Sequence, residues 1–165
     1  MNQNQVNIRK YEAADHNACM DAFKTNVPKY FTLEEVNEYE QFLAKLDNPE
    51  VLDNPLYYVM ELENKFIGCG GIGEKEGIDG IPSITFVWGM VHNESHKKGF
   101  GEQLLQFRLG EIKLHFPTKK VILDTTQFSY TFFAKYGFKT LKITENGYGE
   151  GMHRYDMVLD ESSKS

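Results

Sequence analysis

The chain has 165 residues, 41% of them hydrophobic and 13% aromatic, which suffices for one sizeable hydrophobic core but not for two. Its 24 acidic side chains outnumber its 18 basic ones, and the formal net charge of -6 argues against a protein that binds nucleic acid by neutralising many phosphates. We therefore predict a single domain over residues 1–165, with flexible ends at residues 1–5 and 160–165.

The sequence shows no pattern of secretion or of a membrane span. The first residues are polar, and no apolar run is long enough to cross a membrane. Cys19 and Cys69 lie far apart and form neither a C-x-x-C pair nor a disulfide framework. We expect a cytoplasmic protein with no membrane partner, two reduced core cysteines and no metal.

The first half of the chain predicts a strand, two helices and three strands. Residues 6–9 alternate like a strand, and apolar residues at helical spacing follow Asp15. Thr32-Leu33-Glu34-Glu35 has the pattern of a capping box, which begins a helix predicted over residues 32–46. The remaining predictions are a turn at 47–55, strands over 57–62, 66–72 and 83–91, and a glycine-containing loop over 73–82.

The second half alternates helices and strands. A helix is predicted from Gly101 to just before Pro117. It is followed by an apolar strand over 121–123, expected to be buried on both faces, a short helix over 129–136, and strands over 138–143 and 152–159. This order predicts an α/β fold with a mixed sheet and helices on both faces. The crossover around residues 84–123 places a ligand near residues 90–102.

The turn from His96 to Gly101 has the features of a phosphate-binding turn. It follows a strand and begins a helix, so unpaired backbone N–H groups there lie at the positive end of the helix dipole. Lys97 and Lys98 add positive charge, and Gly99 and Gly101 allow a close approach. A plain strand-to-helix turn is the alternative. The P-loop and the dinucleotide fingerprint both fit worse, because their required Gly-Lys-Ser/Thr ending and third glycine are missing.

The segment from Val91 to Gly101 resembles the arginine-or-glutamine-x-x-glycine-x-glycine/alanine signature of GNAT-family N-acetyltransferases, with His96 in the first place of the signature. Two further segments are similar to the family in the same order. Val121-Ile122-Leu123 resembles its fifth strand, and the stretch from Phe132 to Phe138 resembles its aromatic segment. Upstream, Tyr58-Val59 and Ile67-Gly68-Cys69-Gly70-Gly71 are similar to its second and third strands, so the resemblance covers nearly all of residues 6–159.

This resemblance implies a mostly antiparallel sheet of six to seven strands, with the fourth strand splayed from the fifth. It also implies acetyl-coenzyme A as co-substrate and direct attack by an amine in a ternary complex. Backbone N–H groups near Met90 and Val91 would stabilise the oxyanion, and Gly89 would mark the bulge that causes the splay. The residues expected to bind the cofactor are Met90, Val91, His92, His96, Lys97, Lys98, Gly99, Phe100, Gly101, Glu102, Thr126, Ser129, Phe132 and Phe133.

The proton-transfer groups are less well defined, because Phe133 stands where many members of the family have the tyrosine that protonates the departing thiolate. Tyr130 and Tyr136, three residues to either side on the predicted short helix, are the candidates for that acid. Thr85 stands where some relatives have a catalytic glutamate, so His92 and Asp124 are the candidate bases, with Glu74 a weaker third.

For the acceptor we expect the primary amine of a small molecule or peptide, bound by Tyr30, Phe31 and Trp88, in a protein that is a monomer or a homodimer. The main alternative function is a sensor that binds acyl-coenzyme A without turnover. A third possibility, a structural partner protein without a ligand, requires Gly99 and Gly101 to be plain turn residues.

Overall fold

The computed structural model describes residues 6–48 and 56–160, so most of the predicted turn at 47–55 and the ends at 1–5 and 161–165 lie outside the described residues. Short 3-10 helices lie at Ala13–Asp15 and Asn93–Ser95. The regular elements are β1 (Val6–Lys10), α1 (His16–Thr25), α2 (Leu33–Asp47), β2 (Tyr57–Leu62), β3 (Lys65–Glu76), β4 (Pro82–Val91), α3 (Phe100–His115), β5 (Ile122–Thr125), α4 (Tyr130–Ala134), β6 (Phe138–Gly149) and β7 (Met152–Leu159).

The seven strands of the described residues form two sheets. One has the order β1-β2-β3-β4 and the other the order β5-β7-β6. The β1–β2, β2–β3, β5–β7 and β6–β7 pairs are all antiparallel. Strands β4 and β5 belong to different sheets, and a parallel bridge joins Ile84 to Val121. These findings confirm the predicted mixed α/β class with a mostly antiparallel arrangement of strands.

By internal contacts the chain divides into two compact units, one of residues 1–72 and 87–113 and the other of residues 73–86 and 114–165. The first unit contains a core of aromatic rings: Phe23 stacks on Tyr39 at 4.7 Å and on Phe31 at 4.4 Å, and Trp88 lies 5.3 Å from Tyr39. Cys19 and Cys69 are buried in the same cluster as free cysteines, which agrees with the prediction of core residues.

A second core cluster of the first unit forms around Met60, Ile67 and Leu104, with Phe100 packed against it. This contact fixes the first residue of α3 to the strands. In the second unit, the rings of Phe86 and Phe133 each lie 6.1 Å from that of Phe138. None of the described helices is both long enough and apolar enough to cross a membrane.

The prediction of a loop over residues 73–82 is wrong for much of that range. Strand β3 continues to Glu76 and β4 begins at Pro82. The connection is a tight turn in which Gly77 N–H donates to the carbonyl of Ile81 at 3.0 Å and Gly80 has a φ of 80°. Strand pairing outweighs the low strand propensity of glycine, which the sequence pattern could not reveal.

Three smaller predictions are also corrected. Strand β6 continues to Gly149 instead of ending at residue 143. Helix α4 ends at Ala134, so Tyr136 lies in the following turn and does not share a helical face with Tyr130. Ile122 is only half-buried, although its neighbours Val121 and Leu123 are buried, so this strand is not covered equally on both faces.

The capping box of α2 is formed as predicted. Thr32 Oγ1 accepts a hydrogen bond from Glu35 N–H at 3.3 Å, and Glu35 Oε1 accepts one from Thr32 N–H at 2.9 Å. Both bonds satisfy backbone donors that the helix itself cannot satisfy.

Replacing Thr32 by alanine should lower the free energy of unfolding by about 1 kcal/mol, because the amide of Glu35 loses its acceptor. Urea denaturation monitored by circular dichroism measures this change. Thr32→Ser keeps the oxygen and is the matched control, expected to remain close to the parent. An alanine variant with an unchanged midpoint would show that the cap contributes nothing.

Candidate active site

The predicted phosphate turn opens directly onto the N-terminus of α3. The carbonyl of Gly99 accepts the hydrogen bond of Gln103 N–H at 3.2 Å, so the N–H groups of Phe100 and Gly101 lie in the first turn, where an α-helix offers its own N–H groups no acceptor. A Cβ added at Gly99 or Gly101 would have no atom within 4 Å. The space beside both glycines is therefore open, at the positive end of the helix dipole.

The backbone of the turn depends on glycine at one position. Gly99 has a φ of 81°, in the left-handed region that glycine adopts without strain. Lys97 also has a positive φ, 65°, and its side chain and that of Lys98 are exposed. The charges of the two lysines therefore lie at the surface beside the turn.

His96 connects the turn to the end of β4. Its Nε2 lies 2.7 Å from the carbonyl oxygen of Val91, and because a carbonyl can only accept, Nε2 carries the proton and donates it. The ring of Tyr30 meets the His96 ring edge-on at 5.6 Å. His96, which stands in the place of the family's usual arginine or glutamine, thus uses Nε2 for a hydrogen bond inside the protein. The other polar atom of its side chain is Nδ1.

The end of β4 directs its peptide groups to opposite sides. His92 N–H donates to the carbonyl of Ile67 on β3 at 2.8 Å. Since successive N–H groups of a strand alternate in direction, the N–H of Val91 points away from β3 and that of Met90 points toward it. Of the two predicted oxyanion donors, Val91 is therefore the one directed away from the sheet.

Strand β4 is distorted beside Gly89, the residue predicted to mark a bulge. Trp88, not Gly89, has a left-handed backbone, with a φ of 42°. A Cβ at Gly89 would lie 2.9 Å from both terminal nitrogens of Arg108, so a larger residue there would displace the guanidinium. Burial lowers the pKa of Arg108 to about 10, so the guanidinium under Gly89 remains cationic at neutral pH.

The candidate base His92 caps the 3-10 helix that follows β4. Its Nδ1 accepts a hydrogen bond from Glu94 N–H at 3.2 Å. In the neutral ring the proton then lies on Nε2, so this nitrogen is a donor. His92 could accept a proton from an amine only through Nδ1, after releasing the Glu94 amide.

The second candidate base, Asp124, lies within β5 and is held by several partners of the second unit. Lys75 Nζ lies 2.5 Å from its Oδ1, the Tyr148 hydroxyl donates to its Oδ2, and Arg154 lies 3.8 Å away. Burial opposes ionisation, but the bonds from Lys75 and Tyr148 outweigh it and hold the pKa of Asp124 below 3.8. A carboxylate so stabilised is a weak proton acceptor.

The other predicted residues of the second unit lie around α4. Thr126 and Ser129 form the turn that precedes the helix, where the Thr126 carbonyl accepts from Ser129 N–H at 3.1 Å. The Tyr130 ring stacks on Tyr155 at 4.3 Å, so it is a packed aromatic. The rings of Phe133 and Tyr136 lie 5.1 Å and 5.6 Å from that of Phe132.

The predicted acceptor residues all lie in the first unit but do not form one group. The rings of Phe31 and Trp88 lie 6.3 Å apart within the aromatic core. Tyr30 is 58% exposed and lies beside His96 instead. An acceptor site built on these residues therefore consists of an apolar wall and a separate, exposed tyrosine near the phosphate turn.

Sequence reasoning missed three side chains that support this site. Asn26 is buried and donates from Nδ2 to the carbonyl oxygen of Val91 at 3.1 Å. Tyr57 donates from its hydroxyl to the carbonyl of Trp88 at 2.7 Å. The guanidinium group of Arg108 lies against the backbone of Gly89. The sequence holds no signal for them, since Tyr57 and Arg108 lie in an ordinary strand and helix and Asn26 only follows a helix.

A family model described as an acetyltransferase (GNAT) domain matches residues 25–161 of this chain. The match covers most of the sequence, and it includes the phosphate turn and every strand from β2 to β7. The chain therefore belongs to the GNAT family of acetyltransferases. No curated protein sequence matches it significantly.

Solved structures of the same fold agree with this assignment. A GNAT-family protein from Desulfovibrio desulfuricans superposes with a TM-score of 0.76 at 15% identity, covering 94% of this chain and 99% of that one. A spermidine N-acetyltransferase chimera from Vibrio cholerae and hSSAT gives 0.71 at 17% identity, over 96% and 97%. Arabidopsis thaliana Naa50, in complex with the bisubstrate analogue CoA-Ac-MVNAL, gives 0.66 at 12% identity, over 94% and 98%.

The depressed pKa of Asp124 predicts how its contribution to stability depends on pH. The ionised form is favoured in the folded state, so this contribution is present above the pKa of an unfolded aspartate, 3.8, and is lost as the pH falls through the lower folded value. The difference in unfolding free energy between the parent and Asp124→Asn should therefore be largest near pH 7 and shrink below about pH 4.

Urea denaturation at a series of pH values measures this difference. Tyr148→Phe removes one donor to the carboxylate and should shift the loss to higher pH, toward the ordinary pKa of an aspartate. A parent-minus-variant difference that stays constant from pH 7 to pH 3 would contradict the assignment of the ion pairs.

Proposed function

We propose that this protein transfers an acetyl group from acetyl-coenzyme A to the primary amine of a small molecule or peptide, by direct attack in a ternary complex. The amine nitrogen forms a bond to the thioester carbonyl carbon, the carbon–sulfur bond breaks, the amine loses a proton and the thiolate takes one up. The observation that carries the proposal is the phosphate turn at the start of α3, where Gly99 has a left-handed backbone and the space beside Gly99 and Gly101 is open.

The residues of the turn suit coenzyme A. Its pyrophosphate would bind to the N–H groups of Gly99, Phe100, Gly101 and Glu102, with the exposed Lys97 and Lys98 alongside. The other contacts that we propose come from Met90, Val91, His92, His96, Thr126, Ser129, Phe132 and Phe133. The family's Naa50 structure with a coenzyme A conjugate supports this choice of co-substrate.

The strand end supplies the groups for the reaction itself. The N–H of Val91 points away from β3 and would stabilise the negative charge that develops on the thioester oxygen. We propose His92 or Asp124 as the acceptor of the amine proton and Tyr130 or Tyr136 as the donor to the thiolate. Asp124 is the less suitable of the two, because the bonds from Lys75 and Tyr148 lower the pKa of its carboxyl group.

The acceptor that we propose is an amine bound near Tyr30, Phe31 and Trp88. The spermidine N-acetyltransferase chimera supports a small-molecule substrate, and Naa50 in complex with the bisubstrate analogue CoA-Ac-MVNAL supports a peptide substrate. Aromatic faces attract ammonium groups, and the exposed ring of Tyr30 already has Lys29 Nζ 5.2 Å from its centroid.

We further propose that residues 1–165 form one acetyltransferase domain, supported by a single family match over residues 25–161.

A second function, sensing of acyl-coenzyme A without turnover, is favoured by two observations. Phe133 has no hydroxyl to protonate a thiolate, and the carboxylate of Asp124 is bonded to Lys75 and Tyr148. Both observations concern proton transfer and leave the phosphate turn intact. The two functions therefore share one binding prediction and differ in turnover.

Replacing Gly101 by glutamate should weaken coenzyme A binding by about a hundredfold or more, because a carboxylate would occupy the anion position at the helix N-terminus. Isothermal titration calorimetry measures this change. Gly110→Glu is the matched control, since Gly110 also lies in α3 and a Cβ there also has no atom within 4 Å. Equal binding by both variants would argue for a plain turn and against both functions.

Turnover is tested by release of the coenzyme A thiol in the presence of polyamines, aminoglycosides, amino acids or peptides. The enzyme should release thiol with at least one class of amine and yield the acetylated amine by mass spectrometry. Binding of acetyl-coenzyme A by calorimetry with no thiol release for any class would favour the sensor instead.

A further inference from the structure

Trp88 has a backbone conformation that a large side chain rarely adopts. Its φ of 42° lies in the left-handed region, and the residue sits within β4, three positions before the end of the strand. Such conformations are unfavourable by themselves and persist only where the surrounding structure holds them. The structure must therefore contain groups that fix the peptide of Trp88.

The first of these groups is the hydroxyl of Tyr57. It donates to the carbonyl oxygen of Trp88 at 2.7 Å from a side chain that is 1% exposed. A carbonyl cannot donate, so the proton belongs to Tyr57. Burial raises the pKa of Tyr57 well above its ordinary value, and the hydroxyl therefore keeps this proton at every pH near neutrality.

Tyr39 orients the Tyr57 hydroxyl in turn. The two hydroxyl oxygens lie 2.8 Å apart, and Tyr39 is fully buried. Because the proton of Tyr57 is directed at Trp88, Tyr39 is the donor between them. A chain of two hydrogen bonds thus runs from α2 through β2 to the left-handed peptide of β4.

Packing holds the side chain of the same residue. The Trp88 ring contacts the aromatic core, with centroids 5.9 Å from Phe23, 5.3 Å from Tyr39 and 6.3 Å from Phe42. The ring and the carbonyl of Trp88 are therefore both fixed, and the direction of the strand that leaves Trp88 is fixed with them.

We propose that Tyr57 is a positioning residue for acetyl transfer: by holding the carbonyl of Trp88, it sets the direction of the Val91 N–H that stabilises the thioester oxygen. The inference rests on the function proposed above. Tyr57 does not itself touch the reacting atoms. Its contribution should appear in the chemical step, because an oxyanion donor acts most strongly when charge develops.

The test compares two neighbouring tyrosines of β2. Tyr57→Phe removes only the hydroxyl that holds Trp88. Tyr58→Phe removes the same atom from an equally buried side chain, whose hydroxyl donates to Glu111 Oε1 at 3.1 Å. With saturating acetyl-coenzyme A and an active amine, kcat of Tyr57→Phe should fall about tenfold while KM for acetyl-coenzyme A stays within about twofold. Tyr58→Phe should keep the parent kcat.

A second readout does not need turnover. The infrared stretch of the thioester carbonyl in bound, carbon-13-labelled acetyl-coenzyme A should be lower than in solution, because a hydrogen bond polarises it. In Tyr57→Phe it should move back toward the solution frequency, and in Tyr58→Phe it should match the parent. If Tyr57→Phe fails to fold, Tyr39→Phe takes its place, with a smaller shift in the same direction expected.

The outcomes separate the two proposals. A parent protein that binds no acetyl-coenzyme A overturns the proposed function and the role of Tyr57 with it. A parent that binds and turns over, with Tyr57→Phe equal to Tyr58→Phe in kcat and carbonyl frequency, overturns the role of Tyr57 alone. If the parent binds without turnover, the carbonyl frequency decides: a shift confined to Tyr57→Phe supports the positioning role, and no shift overturns it.

Discussion

The carbonyl oxygen of Val91 accepts hydrogen bonds from two side chains, and much of the candidate site depends on this shared acceptor. His96 donates from the phosphate turn at 2.7 Å, and Asn26 donates from the end of α1 at 3.1 Å. Asn26 also donates to the carbonyl of Ala22 at 2.8 Å, which ties the last turn of α1 to the same point. One peptide group thus joins a helix end, a strand end and the turn that begins α3.

This junction explains why His96 can replace the residue usual in the family. In the proposed function the backbone N–H groups of α3 supply the anion site, and they need a fixed position more than they need an additional side-chain donor. His96 contributes by fixing the turn to β4, while Phe100 fixes the first residue of the helix to the core around Met60 and Leu104. A site made of backbone donors is positioned by such contacts and not by the identity of the exposed residues.

Ion pairs in the second unit hold the carboxylate of Asp124 in its charged form. Asp124 has two cationic neighbours, Lys75 and Arg154, and Arg154 also contacts Asp156 at 3.0 Å. A network of alternating charges stabilises the ionised carboxylate and so opposes the uptake of a proton. The residue that the sequence suggests as a base is therefore better placed to organise β3, β5 and β7 than to exchange protons, and His92 is the stronger candidate.

The sequence by itself determined the class of fold, the position of the turn that begins α3 and the helix cap at Thr32, because each depends on residues close together in the chain. Hydrophobic periodicity, the glycines at 99 and 101 and the capping box are all local patterns. Only the tertiary structure decided that β3 continues through the glycines to Glu76, that Trp88 and not Gly89 is left-handed, and that Tyr57 holds it. Those features depend on strand pairing and on contacts between residues far apart in sequence, and no local pattern of side chains specifies them.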